Sequence, residues 1–541
     1  MIGGLIMKLT FFGAAHEVTG SCHMISVGDR HILIDCGMEQ GPDIYKNQEL
    51  SVNPADIDCV LLTHAHIDHS GLLPLLCKNG FSGAIYSTIA TADLCSIMLK
   101  DSAHIQEFEA SWRNRKAQRA GKPAYEPIYT MEDALTAISL FVPCKYDEKL
   151  HINDNLSIKF TDVGHLLGSS AIEVWVTEGE EMRKLVFTGD LGNPNQPILK
   201  NPNTVRNCDY LIIESTYGNR LHSTEKIDHL GELTAVLRDT FRRGGNLVIP
   251  SFAVGRTQEI LYFIREIKER NMLPEYPGFK VYLDSPLAIE STSIFSKNKY
   301  DCFDEEALAL IRQGINPLVF DGLITSTTSD DSRLINEDQR PKVIISASGM
   351  CEAGRIRHHL KHNLWREDST ILFAGYQAMG TMGRKIVDGA ESVRLFGEVI
   401  EVRAKIQILP GISGHADRDQ LISWIDAMEE KPAKVFVVHG EDEVTDHFAD
   451  LVSETFGVPA YAPYSGGIVD LITGEVLEIG NNVRLVKVKP AQKQKRDCYN
   501  RAIAAAENLL EIVRNSDGLT NKDLLKYETL INNLANKIQT F

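Results

Sequence analysis

Short hydrophobic runs recur along the first two hundred residues of the chain. They are rich in β-branched residues and are bounded by glycine, aspartate or proline, which is the pattern of β-strands. The runs cover residues 9–13, 31–37, 59–63, 156–164, 171–177 and 184–190. They predict a β-rich unit in this part of the chain.

The pattern changes near residue 210, where apolar runs begin to alternate with amphipathic helical stretches. A predicted strand over 246–252 precedes a helix over 255–270, and one over 342–348 precedes a helix over 352–365. Strands separated by helices predict a parallel, doubly wound α/β sheet. After about residue 400 the shorter pattern returns and ends in a predicted hairpin over 467–479.

These changes predict one α/β domain that is interrupted by another. The first domain is expected in two parts, 1–217 and 398–481, with the inserted domain over 218–397. The remaining residues, 482–541, begin with a basic linker and continue as two predicted amphipathic helices, roughly 497–515 and 520–539.

Composition and charge narrow the class of protein. The chain has 541 residues, ten scattered cysteines without a C-x-x-C pair, and a formal net charge of −17. It contains no apolar run of about 18 residues and no secretory leader pattern, so we expect a soluble, cytoplasmic protein that does not enter a membrane. Because the acidic balance repels a polyanion, any nucleic-acid site must be a local basic patch.

The densest chemical signal follows the apolar run at 59–63. Four potential metal ligands occupy six positions: His64, His66, Asp68 and His69. In extended backbone alternate side chains share a face, so the first two histidines can bind one cation while the last two residues, entering a helix, turn toward a second. Imidazole and carboxylate donors without thiolates favour zinc, with manganese or iron as alternatives.

Further donors come where predicted strands end. His165, Asp190 and His439 each have a neighbouring glycine, and strand ends are where sheet proteins place their sites. Asp35, which closes another strand, is expected to accept a hydrogen bond from a ligating histidine and orient it.

Together these motifs resemble the metallo-β-lactamase fold, an αββα sandwich with a two-metal site. IIESTYG with Glu214, GISGHAD with His415 and VVHGE with His439 resemble motifs A, B and C of the β-CASP subfamily. That subfamily includes ribonucleases related to the mRNA 3′-end cleavage and polyadenylation endonuclease and to bacterial and archaeal enzymes. The resemblance covers roughly residues 7–481.

The resemblance implies specific roles for these residues. One metal would be held by His64, His66, His165 and Asp190. The other would be held by Asp68, His69, Asp190 and His439, with the Asp190 carboxylate bridging the two zinc ions. His415, paired with Glu214, would be the general acid, and Asp68 and Asp35 would complete the catalytic set.

The implied reaction is hydrolysis of single-stranded RNA, mainly at internal bonds, by water that two cations activate. Small residues at strand-to-helix turns of the insertion, with nearby cations and an aromatic ring, are expected to hold RNA phosphates and bases. These residues are Ser251, Arg256, Ser348, Gly349, Tyr376 and Arg384. Two basic runs leave alternatives open. The run at 355–362 is either a further RNA contact or a solvated helix face, and the run at 484–496 is either an RNA contact or a linker.

Two other functions use the same residues. A hydrolase of small thioesters or lactones would share the ligand set but leaves the insertion, Glu214 and His415 without a role. A non-catalytic RNA-binding scaffold does not require a complete ligand set. The sequence leaves open whether the chain forms a homodimer, which RNA it acts on and whether it also degrades RNA from an end.

Overall fold

The computed structural model describes residues 7–40, 47–119, 121, 123–222, 227–484, 503 and 505–539. The chain divides into two compact units, Met1–Val483 and Arg484–Phe541. Among the described residues, no helix combines the length and the apolar character that crossing a membrane requires.

Eight strands form the first sheet of the large unit. In chain order they are β1 (Met7–Gly13), β2 (Cys22–Val27), β3 (Arg30–Ile34), β4 (Cys59–Leu61), β5 (Ala84–Thr88), β6 (Phe141–Cys144), β22 (Gly467–Asp470) and β23 (Val476–Glu478). Their order in space is β23-β22-β1-β2-β3-β4-β5-β6. The last two strands form the antiparallel hairpin that the sequence predicts.

Seven strands form a second sheet that faces the first. They are β7 (Leu150–Asn153), β8 (Leu156–Asp162), β9 (Ser170–Glu178), β10 (Glu181–Phe187), β11 (Tyr210–Glu214), β20 (Lys434–Val438) and β21 (Ala460–Tyr461). Their order in space is β21-β20-β11-β10-β9-β8-β7. Strands β10, β11 and β20 are parallel neighbours, so their carboxyl ends lie at one edge of this sheet.

The two sheets enclose one apolar core and carry helices on their outer faces. Leu9 and Phe11 of the first sheet and Val174 and Phe436 of the second belong to the same fully buried cluster. The outer helices are α1 (Ile67–Ser70), α2 (Leu73–Lys78), α3 (Ile89–Arg119), α4 (Met131–Ser139), α13 (Arg418–Asp426) and α14 (Asp442–Phe456), with a 3-10 turn at Pro54–Asp56. This layering confirms the predicted sandwich.

The inserted segment builds a third sheet in which every pair of strands is parallel. Its strands are β12 (Leu247–Ser251), β13 (Lys280–Leu283), β14 (Leu323–Thr325), β15 (Lys342–Ala347), β16 (Thr370–Phe373) and β19 (Lys405–Ile408). Their order in space is β14-β13-β15-β12-β16-β19. The doubly wound architecture is confirmed. The predicted end of the insertion at residue 397 is too early, because β19 pairs with β16 of this sheet. The chain leaves the inserted sheet only after Ile408.

Eight helices and a small hairpin accompany the inserted sheet. The helices are α5 (His229–Arg242), α6 (Arg256–Glu269), α7 (Pro286–Lys297), α8 (Lys299–Cys302), α9 (Glu305–Arg312), α10 (Ser329–Glu337), α11 (Ile356–Asn363) and α12 (Met382–Val387). The hairpin pairs β17 (Ser392–Leu395) with β18 (Glu398–Glu401). One apolar cluster includes Leu166 of the sandwich and Val254 of the insertion, so the two parts share a core.

The small unit contains a helical stretch over 505–514 and the helix α15 (Asn521–Gln539). Helical backbone therefore covers the described part of the first predicted helix and nearly all of the second, while residues 497–502 and 504 lie outside the described residues. Most of the predicted basic linker, residues 485–496, lies outside the described residues.

Gly37 allows the loop after β3 to pack against the predicted metal-binding run. A Cβ atom at this position would lie 1.7 Å from the Asp68 carbonyl oxygen. The adjacent backbone is joined to the same run, because the Met38 amide donates to the Ile67 carbonyl oxygen at 2.9 Å. A side chain at residue 37 would therefore push Asp68 away.

We predict that Gly37→Ala lowers the thermal unfolding midpoint of the protein by about 5 °C or more, because backbone atoms cannot move aside cheaply. Gly278→Ala is the matched control, since a Cβ there meets no heavy atom within 4 Å. Differential scanning calorimetry of both variants tests this. Equal midpoints for the two variants would contradict the proposed close packing.

Candidate metal centre

The run after β4 changes from extended to helical backbone within a few residues. His64 lies in the extended part, His66 is the N-cap of α1, and Asp68 and His69 lie in its first turn. This change of backbone directs the first two histidines and the last two residues to different sides, as the sequence analysis predicted.

Four donor atoms converge in a first set: those of His64, His66, His165 and Asp190. His66 Nδ1 lies 3.1 Å from His64 Nε2 and 3.2 Å from His165 Nε2. Asp190 Oδ2 lies 3.6 Å from His64 Nε2 and 3.4 Å from His165 Nε2. A tetrahedral zinc ion with ordinary bond lengths requires ligand atoms about 3.3–3.6 Å apart, so this donor set fits such an ion.

A second set contains Asp68, His69 and His439. The Nε2 atoms of the two histidines lie 3.1 Å apart, and His439 Nε2 lies 3.8 Å from Asp68 Oδ2. Asp190 Oδ1 lies 3.2 Å from His69 Nε2 and 3.6 Å from His439 Nε2. The two oxygens of Asp190 therefore face different sets.

The oxygen Oδ1 of Asp190 is buried and has no donor with hydrogen-bond geometry among the described residues, although the Nε2 atoms of His69 and His439 lie 3.2 and 3.6 Å from it. Such an atom is costly to bury unless a cation satisfies it. The unsatisfied oxygen and the spacing of the donors together fit a carboxylate that bridges two metal ions.

Ligand histidines in both sets are anchored through their other ring nitrogen. The partners are Thr63 Oγ1 at 3.1 Å for His64, Asp35 Oδ2 at 2.7 Å for His69, the Gly414 carbonyl oxygen at 2.9 Å for His165, and Thr216 Oγ1 at 3.1 Å for His439. Such contacts fix the ring orientation and the tautomer of metal ligands. Sequence reasoning missed Thr63, Thr216 and Gly414, because a hydroxyl next to a motif and a backbone carbonyl carry no distinct signal.

Asp35 lies behind the ligand atoms. Its carboxylate accepts the Thr63 amide at 2.8 Å and the Thr63 hydroxyl at 2.9 and 3.0 Å, in addition to its contact with His69. This position suits a residue that orients His69, as the sequence analysis expected.

The electrostatics differ between the two sets. Burial holds the pKa of His64 and His165 well below the usual range, which favours the neutral imidazole that a metal requires. Burial also opposes charge on His69, but Asp190 and Asp35 outweigh it and raise the pKa of His69 well above its usual range. Metal binding at the second set therefore competes with protonation of His69.

His415 and Glu214 form a pair beside the first set. His415 Nδ1 lies 3.3 Å from Glu214 Oε1 and 3.8 Å from Asp190 Oδ2. Burial opposes protonation, but Glu214 and Asp190 outweigh it and raise the pKa of His415 to about 9. His415 is outside both donor sets and can carry a proton.

Glu214 also lies close to Asp190 and His439. Its two oxygens are already engaged, because Oε1 accepts the Leu191 amide at 2.6 Å and Oε2 accepts the Thr216 amide at 3.2 Å. This carboxylate is therefore better placed to orient His415 than to bind a metal.

The expected RNA contacts lie at the carboxyl ends of strands of the inserted sheet and in the loops and helix starts that follow them. Ser348 and Gly349 follow β15, and Gly349 packs against Phe252, because a Cβ on the glycine would lie 3.2 Å from the phenyl ring. Tyr376, after β16, is 53% exposed and Phe252 is 44% exposed. Phe252 was not among the predicted contacts, because a single phenylalanine in a turn gives no signal in the sequence.

Three expected contacts have their polar groups engaged within the protein. Ser251 is buried and accepts a hydrogen bond from Thr257 Oγ1. Arg256 pairs with Glu259, and only 11% of its side chain is exposed. Arg384 donates to Asp388 at 2.8–2.9 Å. A phosphate would have to compete with these carboxylates for both arginines.

Part of the basic run at 355–362 is engaged within the protein, whereas His358 and His362 are exposed. Arg355 Nη1 lies 2.8 Å from Asp284 Oδ1, and His359 contacts the other oxygen of the same buried carboxylate. On the outer side Lys361 pairs with Glu398. Because these groups are paired within the protein, they are not free cations for RNA.

Three family models match the chain. They are the metallo-beta-lactamase superfamily at residues 17–212, the Beta-Casp domain at 257–386 and the Zn-dependent metallo-hydrolase RNA specificity domain at 399–463.

Curated relatives match over most of the chain. Ribonuclease TTHA0252 of Thermus thermophilus is 38% identical over 81% of this chain and 94% of its own length. Transcription termination factor FttA of Methanocaldococcus jannaschii is 31% identical over 85% of this chain and 71% of its own. The same factor of Methanosarcina mazei is 30% identical over 83% and 69%. The chain therefore belongs to the β-CASP family of the metallo-β-lactamase superfamily.

Proposed function

We propose that this protein is a zinc-dependent ribonuclease that hydrolyses single-stranded RNA, mainly at internal phosphodiester bonds. The observation that carries the proposal is the pair of donor sets joined by the Asp190 carboxylate, with the His415–Glu214 pair beside them. The name of the Thermus thermophilus relative, a ribonuclease, supports the same activity.

The residues that would hold two cations are those of the two donor sets. The first cation would be bound by His64, His66, His165 and Asp190, and the second by Asp68, His69, His439 and Asp190. Donors of this kind suit zinc and also accept manganese or iron. When bound, such a pair of ions lowers the pKa of water and polarises a phosphoryl oxygen.

The protein's own groups would handle the protons. His415 would donate a proton to the leaving 3′-oxygen, since Glu214 holds its Nδ1 and leaves Nε2 for transfer. Asp68 would join the second donor set through one carboxylate oxygen, which leaves its other oxygen, on a side chain that is 21% exposed, to accept the proton that the attacking water loses. The products would carry a 3′-hydroxyl and a 5′-phosphate.

The insertion would hold the RNA strand. Its loop at Val254 and Gly255 reaches the sandwich, where Leu166, next to His165, lies 3.2 Å from a Cβ built on Gly255. The exposed rings of Phe252 and Tyr376 offer faces for unpaired bases, and Ser348 and Gly349 offer backbone groups for phosphates. Arg256 and Arg384 would bind RNA phosphates once each has released its partner carboxylate, Glu259 or Asp388.

We further propose that the protein acts in the cytoplasm, in RNA processing or decay. The nine described cysteines are unpaired, and seven of them are buried, as is usual for proteins of a reducing compartment.

Two other functions make different predictions for the purified protein. A thioester or lactone hydrolase has no need for the His415–Glu214 pair. An RNA-binding scaffold has no need for a carboxylate oxygen left for a cation. An RNA-cleavage assay on the purified protein distinguishes both of these functions from the ribonuclease.

We predict that the zinc-loaded protein cuts an end-labelled single-stranded RNA internally, leaving 5′-phosphate and 3′-hydroxyl ends. Chelator should abolish cleavage and zinc should restore it. His64→Ala should lose bound zinc and cleavage together, because one donor of the first set is gone. His151→Ala, a change at an exposed histidine outside both sets, is the control.

Three results would contradict the ribonuclease. They are RNA binding without cleavage, thioester hydrolysis without RNA cleavage, and cleavage that persists at full rate in chelator. Unchanged zinc content in His64→Ala would refute the ligand assignment.

We predict that His415→Ala retains bound zinc and cuts about 100-fold to 10,000-fold more slowly, because it removes the general acid. Glu214→Gln should shift the alkaline limb of the rate profile to lower pH by about one unit. A negative carboxylate stabilises the protonated ring, so its removal lowers the pKa of His415, and the acid form is lost at lower pH.

Rate–pH profiles and metal analysis of both variants test these roles. A profile of Glu214→Gln identical to that of the wild type would rule out His415 as the group behind the alkaline limb. Loss of zinc from His415→Ala would make it a metal ligand instead.

A further inference from the structure

The second half of α3 has two different faces. Residues spaced for one side of the helix are buried or half-buried: Ala103, Gln106, Glu107, Ala110, Asn114 and Ala117. Residues spaced for the opposite side are exposed: Ile105, Phe108, Trp112, Arg115, Lys116 and Arg119. The second half of the helix therefore has one packed face and one face that is unpartnered among the described residues.

The unpartnered face carries large aromatic side chains. Phe108 is 64% exposed and Trp112 is 52% exposed. Lys116 Nζ lies 3.5 Å from the centroid of the Trp112 ring. Beside this face, Arg113 Cζ lies 4.6 Å from the ring of Tyr125, which is 39% exposed. Among the described residues these rings are therefore exposed large hydrophobic side chains rather than part of the core.

The charge of this segment is opposite to that of the whole chain. Residues 110–119 contain Arg113, Arg115, Lys116 and Arg119 and no acidic residue, although the chain has a net charge of −17. The exposed Glu109 just before them pairs with Arg113 at 3.4 Å, so Arg115, Lys116 and Arg119 carry the local positive charge. A local cationic surface on an acidic protein is selective for an anionic partner. Exposed aromatic rings among cations are the combination that binds single-stranded nucleic acid.

The helix links this face to the metal centre. Near its start Thr91 Oγ1 donates to the Gly168 carbonyl oxygen at 2.8 Å, in the loop that carries His165. Gln106 contacts Met38 Sδ at 3.9 Å, and the Met38 amide donates to Ile67, next to Asp68. From Gln106 the helix axis advances about 9 Å to Trp112 and about 20 Å to Arg119.

We propose that Phe108, Trp112, Arg115, Lys116 and Arg119, here named the α3 patch, form a second binding surface for single-stranded RNA. The patch would hold nucleotides that extend beyond the metal centre. It stacks bases on its two aromatic rings and contacts phosphates through its three cations. This inference rests on the proposed ribonuclease function for its substrate.

The length dependence of RNA affinity tests the α3 patch. Anisotropy is measured in chelator, which prevents cleavage, with fluorescent RNAs of about 6 and about 20 nucleotides, the second of which exceeds a typical single-strand footprint. Arg115→Glu/Lys116→Glu should weaken binding of the longer RNA about tenfold at low salt and reduce its salt slope by about 1.4, the value for two lost phosphate contacts. The loss for the shorter RNA should be clearly smaller.

Trp112→Ala separates stacking from charge. It should weaken binding of the longer RNA about fivefold or more and leave the salt slope unchanged, because no cation is removed. Arg312→Glu/Arg333→Glu is the control for net charge, since both arginines are exposed on the inserted domain. Circular dichroism checks that every variant is folded.

Wild-type affinity for the longer RNA in both α3 variants would overturn the proposal and assign the patch to another kind of partner. Equal losses for both RNA lengths, or an equal loss in the control variant, would also overturn it. If the wild type binds RNA through the patch but cuts none, the ribonuclease function fails and the patch stands. If the wild type cuts RNA and the α3 variants bind it normally, only the patch fails.

Discussion

The buried carboxylate of Asp190 is the group on which the centre depends. Its two oxygens face two separate groups of imidazoles, and around one oxygen no described donor has hydrogen-bond geometry. A buried, unsatisfied carboxylate oxygen is strongly unfavourable unless a cation satisfies it. The surrounding fold places one donor set on each side of Asp190, so that a cation could bind either of its carboxylate oxygens.

The sandwich supplies this arrangement through its strand ends. Asp190, Glu214 and His439 lie at or just after the carboxyl ends of three neighbouring parallel strands, β10, β11 and β20. Contacts to the second ring nitrogens then fix the imidazoles before any ion binds. Because these contacts come from distant parts of the chain, such as Asp35, Thr216 and Gly414, the geometry of the site is inseparable from the fold.

The sequence predicted most of the centre because its signals are local. Four potential ligands within six residues leave few other interpretations, and a donor at a strand end lies at a known edge of a sheet. The fold class followed from the change of hydrophobic pattern near residue 210. The sequence pattern could not assign the strand Lys405–Ile408 to a sheet, because its short apolar run looks like those of the sandwich. In the structure this strand pairs with the inserted sheet.

Charge was the least predictable feature. Arg256 and Arg384 look like phosphate contacts in the sequence but pair with nearby carboxylates in the structure. The exposed cations of α3 were overlooked, because only the folded helix shows that Arg115, Lys116 and Trp112 share an unpacked side. Which cations remain free depends on tertiary contacts rather than on spacing.

The most direct test of the two-cation account is X-ray diffraction from crystals grown with zinc, recorded on both sides of the zinc absorption edge. The account predicts two anomalous peaks about 3.5–4 Å apart, one among His64, His66 and His165 and the other among Asp68, His69 and His439, with Asp190 between them. A single peak, or no peak within bonding distance of Asp190, would contradict it.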